Sequence, residues 1–319
     1  MKKFILFASV FAGLFTAASC QQEGLEPAVN GSVTYEITLP SAPQTKGENG
    51  YTSYDLHYEV YKTSDVETLT SAQFLFDETV TMNGNTTTVS LELLNDQNYT
   101  ILFWAHQAGT DYYAVADNNQ SDLLSLQMNL DGIKSNNDDR DAFCGMDQLE
   151  QHDGAQSKTV ELKRPFAQIN IATLVNAVDY DINPVSSLVK VKDIPVSYNV
   201  FSGEPVGEEG EVEYTVNIVP TGNLSVNGTD YKKVAMNYAL VPATADNSAT
   251  VEVYYEINTA NGTVKNSIPN VPVKKNYRTN IIGNLLTSKT EYTITLDAAW
   301  AGENILVNNA DEFAAALAN

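Results

Sequence analysis

Histidine, cysteine and positive charge are all scarce in this chain of 319 residues. It has 3 His, 2 Cys and 18 Lys plus Arg against 40 Asp plus Glu, a formal net charge of -22. A polyanion repels nucleic acid and anionic membrane surfaces, which excludes both as charge-driven partners. The three histidines show no HxH or HExxH spacing, so no zinc site is written into the sequence. CxxC pairs, GxSxG elbows, phosphate-binding loops and GxGxxG turns are also missing. The chain therefore reads as non-enzymatic, with no cofactor and no metal. Helix signals are few, with one or two turns expected over residues 123–130 and a short helix over 313–317. What is present is 43% hydrophobic and 18% charged residues, enough for a folded core. At this length about two domains are expected.

The first 19 residues read as an export signal. Lys2 and Lys3 precede an apolar run over 4–15, and the small residues Ala17, Ala18 and Ser19 lead to Cys20. The run falls short of the roughly 20 residues a membrane span needs. A Cys in this place resembles the lipidation motif of bacterial lipoproteins, with Ala17 where Leu is usual. The resemblance implies that Cys20 is lipidated and holds the protein to outer-membrane lipid. Each buried methylene contributes about 0.8 kcal/mol to such an anchor. Gln21 follows, where an inner-membrane retention signal has Asp, so the address is the outer membrane, facing the cell surface. After cleavage Cys144 is the only other Cys, which rules out an intramolecular disulfide. Residues 20–31 are polar and carry Gly and Pro, as a lipidated tether would.

The body alternates apolar and polar residues with period two. Tyr54, Leu56, Tyr58 and Val60 form one apolar face; Tyr99, Ile101, Phe103 and Ala105 form another. Ala167, Ile169 and Ile171 repeat it, as do Val212, Tyr214, Val216 and Ile218. Further series run through Val234 to Leu240, Val251 to Ile257 and Tyr292 to Leu296. Asn83-Gly84 and Asn261-Gly262 mark hairpin turns. Half-buried antiparallel strands of this kind pack as two-sheet sandwiches. Arg164-Pro165 divides the strand series, because Pro165 cannot donate to a ladder. The expected layout is a β-sandwich over 32–165, a second over 166–298 and a strand-helix tail over 299–319.

Three stretches carry a family resemblance. LKRPFAQINIAT (162–173), NYRTNIIGNLLT (276–287) and DRDAFCG (139–145) resemble the fimbrillin-like surface proteins of Bacteroidetes, including members catalogued only as a domain of unknown function. The resemblance covers residues 30 to 298. It implies an all-β protein of two tandem transthyretin-like antiparallel sandwiches on a lipidated precursor. Some members are pilins that polymerise by strand exchange after proteolytic removal of the first strand. Processing in the best-known members follows an Arg near that strand. Here the three Arg are Arg140, Arg164 and Arg278, so the nearest trypsin-like position is Lys46, in QTKGENG.

Candidate site residues are sparse. His57 and His106 fall on the polar faces of two strands and His152 in a loop, which reads as solvent-facing histidine. Cys144 reads as a small buried hydrophobe. Asn137, Asp139 and Asp141 mimic the first ligands of a calcium loop, but Ala142 stands at the Gly position and Gln148 at the Glu position, so a solvated loop is expected. Tyr113 and Tyr254 are weak candidates for stacking on a glycan. The reading reached is a lipid-anchored surface protein acting in adhesion or as a pilus-related subunit, with other pilin subunits or host and bacterial surface ligands as partners. The alternatives are a glycan-binding lipoprotein for polysaccharide capture and a surface hydrolase. The tail has an i, i+4 pair, Phe313 and Leu317, that suits a short helix. It is expected to be loosely held, on a chain either truncated or completed by a partner.

Overall fold

A computed structural model describes residues 30–40, 53–63, 68–115, 118–174, 183–244, 248–287, 290–298 and 304–307. The export signal, Cys20, the tether up to residue 29, Lys46 and the terminal helix segment lie outside these residues. None of the described helices is long and apolar enough to cross a membrane.

The described residues form strands almost throughout, as their β-branched and aromatic alternation requires. The first eight are β1 (Asn30–Thr38), β2 (Ser53–Thr63), β3 (Phe74–Asn83), β4 (Thr86–Leu94), β5 (Gln97–Gln107), β6 (Leu126–Gln127), β7 (Ala142–His152) and β8 (Gln156–Glu161). Seven more carry the chain from the Arg164-Pro165 link to residue 240: β9 (Phe166–Leu174), β10 (Pro184–Ile194), β11 (Ser197–Asn199), β12 (Glu204–Val206), β13 (Gly210–Ile218), β14 (Asn223–Val226) and β15 (Thr229–Leu240). The last are β16 (Ser248–Thr259), β17 (Gly262–Lys274), β18 (Tyr277–Asn284), β19 (Glu291–Ala298) and β20 (Asn304–Val307).

Two sandwiches result. In the first, the sheet β4-β1-β8 faces the sheet β3-β2-β5-β7. Between them Tyr35, Leu56, Ile101 and Phe103 form a core with no exposed surface. In the second, β13-β10-β16-β17 faces β14-β15-β9-β18-β19-β20. Ile169, Val191, Val253 and Ile281 fill that core. β20 lies beyond the expected limit at residue 298 and pairs antiparallel with β19, Val307 opposite Ile294.

A third cluster joins the two halves. Tyr61, Leu102 and Trp104 point away from the first core and meet Phe166 and Tyr238 of the second sheet, with Tyr113, Leu123 and Leu126 between them. The polar-looking faces of β2 and β5 are therefore covered. His57, His106 and His152 are 0%, 5% and 0% exposed, so the expectation of solvent-facing histidines is corrected. It assumed that one face of an antiparallel sheet meets water; here both faces are packed.

Other local expectations change for related reasons. Residues 123–130 contain β6 and turns, with no helix. The Glu59 carboxylate accepts from the backbone N–H groups of Asp122 (2.6 Å) and Leu123 (2.9 Å), and β6 pairs with β11. Asn83-Gly84 joins β3 and β4, which belong to different sheets, so it is a crossover between layers. Asn261-Gly262 is the hairpin turn of β16 and β17, with Gly262 at φ 131. Val216 and Ile218 are 50% and 74% exposed. A bulge shifts the β10–β13 register between Ser187 and Val189, which reverses the alternation and turns Ile218 outward.

Candidate functional site: the first strand and its groove

β1 sits between two neighbours within its sheet. On one side it runs antiparallel to β4, from Asn30 opposite Leu94 to Thr38 opposite Thr86. On the other it runs parallel to β8, from Val33 opposite Gln156 to Thr38 opposite Glu161. Both backbone edges are thus occupied over most of its length. Its odd-numbered residues face the core. Val33, Tyr35 and Ile37 have no exposed surface, and Leu39, just past the strand, is 6% exposed. Burying side chains of this size contributes about 1.5–3 kcal/mol each.

Tyr35 is the anchor. Its ring meets Phe103 edge-on with centroids 5.5 Å apart. Its hydroxyl donates to Asp147 Oδ2 at 2.9 Å, and Lys158 Nζ donates to the same oxygen at 2.7 Å. Burial, with the Asp147 charge adding to it, holds the Tyr35 hydroxyl well above its ordinary range, so it remains a donor. At the strand's start the Gly31 carbonyl is hydrogen-bonded to His152 Nε2 at 3.2 Å. A Cβ on Gly31 would lie 2.4 Å from the Gly154 carbonyl oxygen, so the chain enters the sheet only as glycine there. At its far end Leu39 N–H donates to the Asn85 carbonyl, and the Thr38 carbonyl accepts from Leu162.

Removing β1 would leave a slot between β4 and β8. Its walls would carry unpaired backbone groups. Its floor would be Phe103 and Tyr58 of the facing sheet, flanked by the apolar side chains Val89, Leu91 and Leu93 of β4 and Val160 of β8.

The glycan candidates separate. Tyr113 is 3% exposed, meets Trp104 at 5.0 Å and donates its hydroxyl to the Arg140 carbonyl. It has no free face for a sugar, and that reading is corrected: Tyr113 belongs to the cluster that joins the two halves, and Tyr112 packs against that cluster. Tyr254 is half-buried on the outer face of β16, where its hydroxyl donates to Glu256 Oε1 at 2.6 Å. Lys190, Lys192 and Lys265 pair with Glu213, Glu252 and Glu256 on the same sheet.

The acidic stretch around Asp139 is no solvated loop. Asp141 is 2% exposed and paired with Arg164 at 2.8 Å. Asn136 N–H donates to the Met236 carbonyl, and Met236 N–H donates to Asn136 Oδ1 at 2.8 Å. Among the described residues no group of three His, Cys, Asp or Glu could hold a metal ion. Burial of the Cys144 thiol, opposed by a hydrogen bond with Tyr198, pushes it up to about 12. Sequence reasoning missed Glu59 and Asp147, both isolated acids in strands, because no periodic signal distinguishes a buried acid from a solvated one.

A family model described as a family of unknown function (DUF6562) matches residues 26–315. The chain belongs to that family. No curated protein matches it. Among solved structures it is similar to the tip fimbrial protein Mfa3 of Porphyromonas gingivalis with C-terminal truncation, at 13% identity and a TM-score of 0.47, over 85% of this chain and 100% of that one. It is also similar to a fimbrial assembly protein of Parabacteroides distasonis, at 14% identity and a TM-score of 0.45, over 88% and 99%. Both likenesses are distant.

Proposed function

We propose that this is a non-enzymatic cell-surface protein of the fimbrial type, anchored to outer-membrane lipid through Cys20, whose first strand is an exchangeable element. The observation that carries this reading is the place of β1. It fills the middle of its sheet, yet it lies at the start of the described chain and is followed by a polar segment containing Lys46. One cut after Lys46 would detach the strand from the rest of the covalent chain. The slot would then accept an extended segment of another subunit, with main-chain bonds giving affinity and alternate apolar side chains giving register.

Limited trypsin treatment of the purified chain tests the reading. The expected result is a cut after Lys46 followed by ladders of stable oligomers. Clean monomers that have lost residues up to Lys46 would count against strand exchange. The anchor has its own test. Cys20→Ala should move the protein from the membrane fraction to the soluble one, because the acidic body adds no attraction to an anionic surface.

A further inference from the structure

We propose that the open edge of β4 is a pairing surface for a second copy of this chain, the two β4 strands running antiparallel about a two-fold axis. The pairing leaves β1 in place, so it is independent of strand exchange.

A strand at the rim of a sheet presents unpaired N–H and C=O groups, and folded proteins guard such rims with short strands, bulges, proline, lysine or covering loops. The described rims follow that rule with one exception. β6, β12, β14 and β20 span four residues or fewer. β8 turns Lys158 inward to Asp147 at 2.7 Å, and β17 carries Pro269 and Pro272. β7 is bridged at Cys144 by Lys163, and β13 by the backbone of Ile133 and Ser135 at Thr215. On β3 the Asp77 carboxylate accepts from the N–H groups of Asn118 and Asn119 at 3.1 and 3.0 Å, which lays a loop beside it. β4 has none of these devices. It is nine residues long, contains no Pro, Lys or Arg, and pairs with β1 from Thr86 to Leu94 without a break in register. The Tyr99 hydroxyl holds the N–H and C=O of Leu94, at 3.1 and 3.2 Å. From Thr86 to Leu93 the outer side of β4 has no strand beside it among the described residues.

The second sandwich shows the direction an added strand takes. There β9 is placed as β1 is in the first, antiparallel to one neighbour, β15, and parallel to the other, β18. The far side of β15 is taken by β14, antiparallel. The matching side of β4 is open.

The side chains select the occupant. Val89, Leu91 and Leu93 face the core, at 4%, 3% and 4% exposure, while Thr88, Ser90 and Glu92 face solvent. A strand of the same sequence, laid antiparallel with Ser90 on the axis, keeps both faces matched. Val89 then meets Leu91 of the second copy, Thr87 meets Leu93, and Thr88 meets Glu92. Moving the axis to Val89 would set Leu93 against Asn85, past the end of the strand. Glu92 is the only charged residue of β4. The two-fold places it against a hydroxyl that can donate to it and away from its own counterpart. Leu94, 42% exposed, comes beside Thr86 of the second copy. The result is one continuous sheet of both copies, closed by its symmetry at two chains.

The test is sedimentation velocity from micromolar to millimolar concentration. It uses the purified, uncut chain in reductant, so that Cys20 cannot cross-link. Reversible dimerisation is expected, and it should strengthen with salt, which screens the repulsion between two bodies of net charge -22. Ser90→Lys and Thr88→Lys alter exposed residues and change the net charge equally, so each should leave the Tm of the dilute protein unchanged. Their effects on pairing should be opposite. Ser90→Lys sets like charges together on the axis and should weaken dimerisation about threefold or more. Thr88→Lys sets a lysine against each Glu92 and should strengthen it about threefold or more. Adding Glu92→Gln to Thr88→Lys should cancel the gain. Monomers at every concentration and salt would overturn the proposal. So would dimers that respond alike to the two lysines or to neither, or growth beyond two chains. None of these results bears on strand exchange, which needs the cut that releases β1.

Discussion

The guanidinium of Arg164 makes three hydrogen bonds to the Asp141 carboxylate, two from Nε at 2.8 and 3.1 Å and one from Nη2 at 2.9 Å. Both side chains are almost fully buried, 2% and 1% exposed. The Arg164 group also lies 4.5 Å from the centre of the Phe143 ring. This pair ties the residue before Pro165 to the residue before β7, so the junction between the sandwiches is held from both sides.

Removing one partner of this pair should be costly. Asp141→Asn and Arg164→Met each leave a buried group without its match, and a loss of about 3–5 kcal/mol is expected. The double variant Asp141→Leu with Arg164→Met should recover much of that loss, because replacing both charges with apolar groups removes the desolvation cost. Urea denaturation of the three variants measures the difference. Equal losses in the single and double variants would show that packing around the pair, not its charge, carries the stability.

The bulge in β13 makes a contrast that the sequence pattern alone would not. Ile169 and Ile218 both lie in alternating apolar series. Ile169 has no exposed surface, whereas Ile218 is 74% exposed. Ile169→Asp should destabilise by about 4 kcal/mol or more, since it buries an unpaired charge between sheets. Ile218→Asp should stay within about 0.5 kcal/mol of the parent. Thermal melts of both variants check this, and a large loss from Ile218→Asp would mean that the alternation continues unbroken.

These two isoleucines show how far the sequence carries. Period two placed the strands, because a strand's side chains alternate whatever the fold. It could not place the bulge, since one extra residue at Thr215 or Val216 leaves no mark in composition. It also could not say which outer sheet face is covered. His57, Glu59 and Tyr61 alternate with the core residues of β2, yet Tyr61 joins the third cluster with Tyr113, Leu123 and Phe166, and Glu59 holds the backbone of residues 122 and 123, more than 60 positions away. Val33, Tyr35, Ile37 and Leu39 alternate in the same way, so the first strand is legible in the sequence. Its central place in the sheet is not, because pairing with β8, over 110 residues later, is a tertiary fact.

Cys144 gives a prediction in alkali. Its thiol is raised from an ordinary 9.0 to about 12 by burial. Between about pH 9 and pH 12 the unfolded chain loses this proton while the folded chain keeps it. The contribution to stability is therefore full below pH 9 and falls as pH rises toward 12. Cys144→Ala should flatten that part of the stability profile. In the native protein the thiol should resist a disulfide reagent at pH 8 and react at once on unfolding in guanidinium. Rapid native labelling at pH 8 would show that the thiol is not shielded.

The segment 126–141 leaves the first sandwich and completes the second. Ile133 is 4% exposed within the second core. Thr215 N–H donates to the Ile133 carbonyl at 2.9 Å, and Ser135 N–H donates to the Thr215 carbonyl at 2.9 Å, which caps the edge of β13. Asn136 then pairs with Met236 of β15 in the facing sheet and donates to Ser187 Oγ at 2.8 Å and the Ile218 carbonyl at 2.9 Å. One strap thus bridges both sheets of a sandwich to which it does not belong in sequence. The second half lacks a closed edge without it, so the two halves should unfold as one unit. Calorimetry of the parent should show a single transition. Ile133→Asp should lower the Tm steeply or split the transition in two, because it places a charge in the second core. Asn136→Ala removes three side-chain hydrogen bonds without touching the core and should cost about 1–3 kcal/mol. Two separate transitions in the parent, with only the later one moved by Asn136→Ala, would mean that the strap decorates an already complete sandwich.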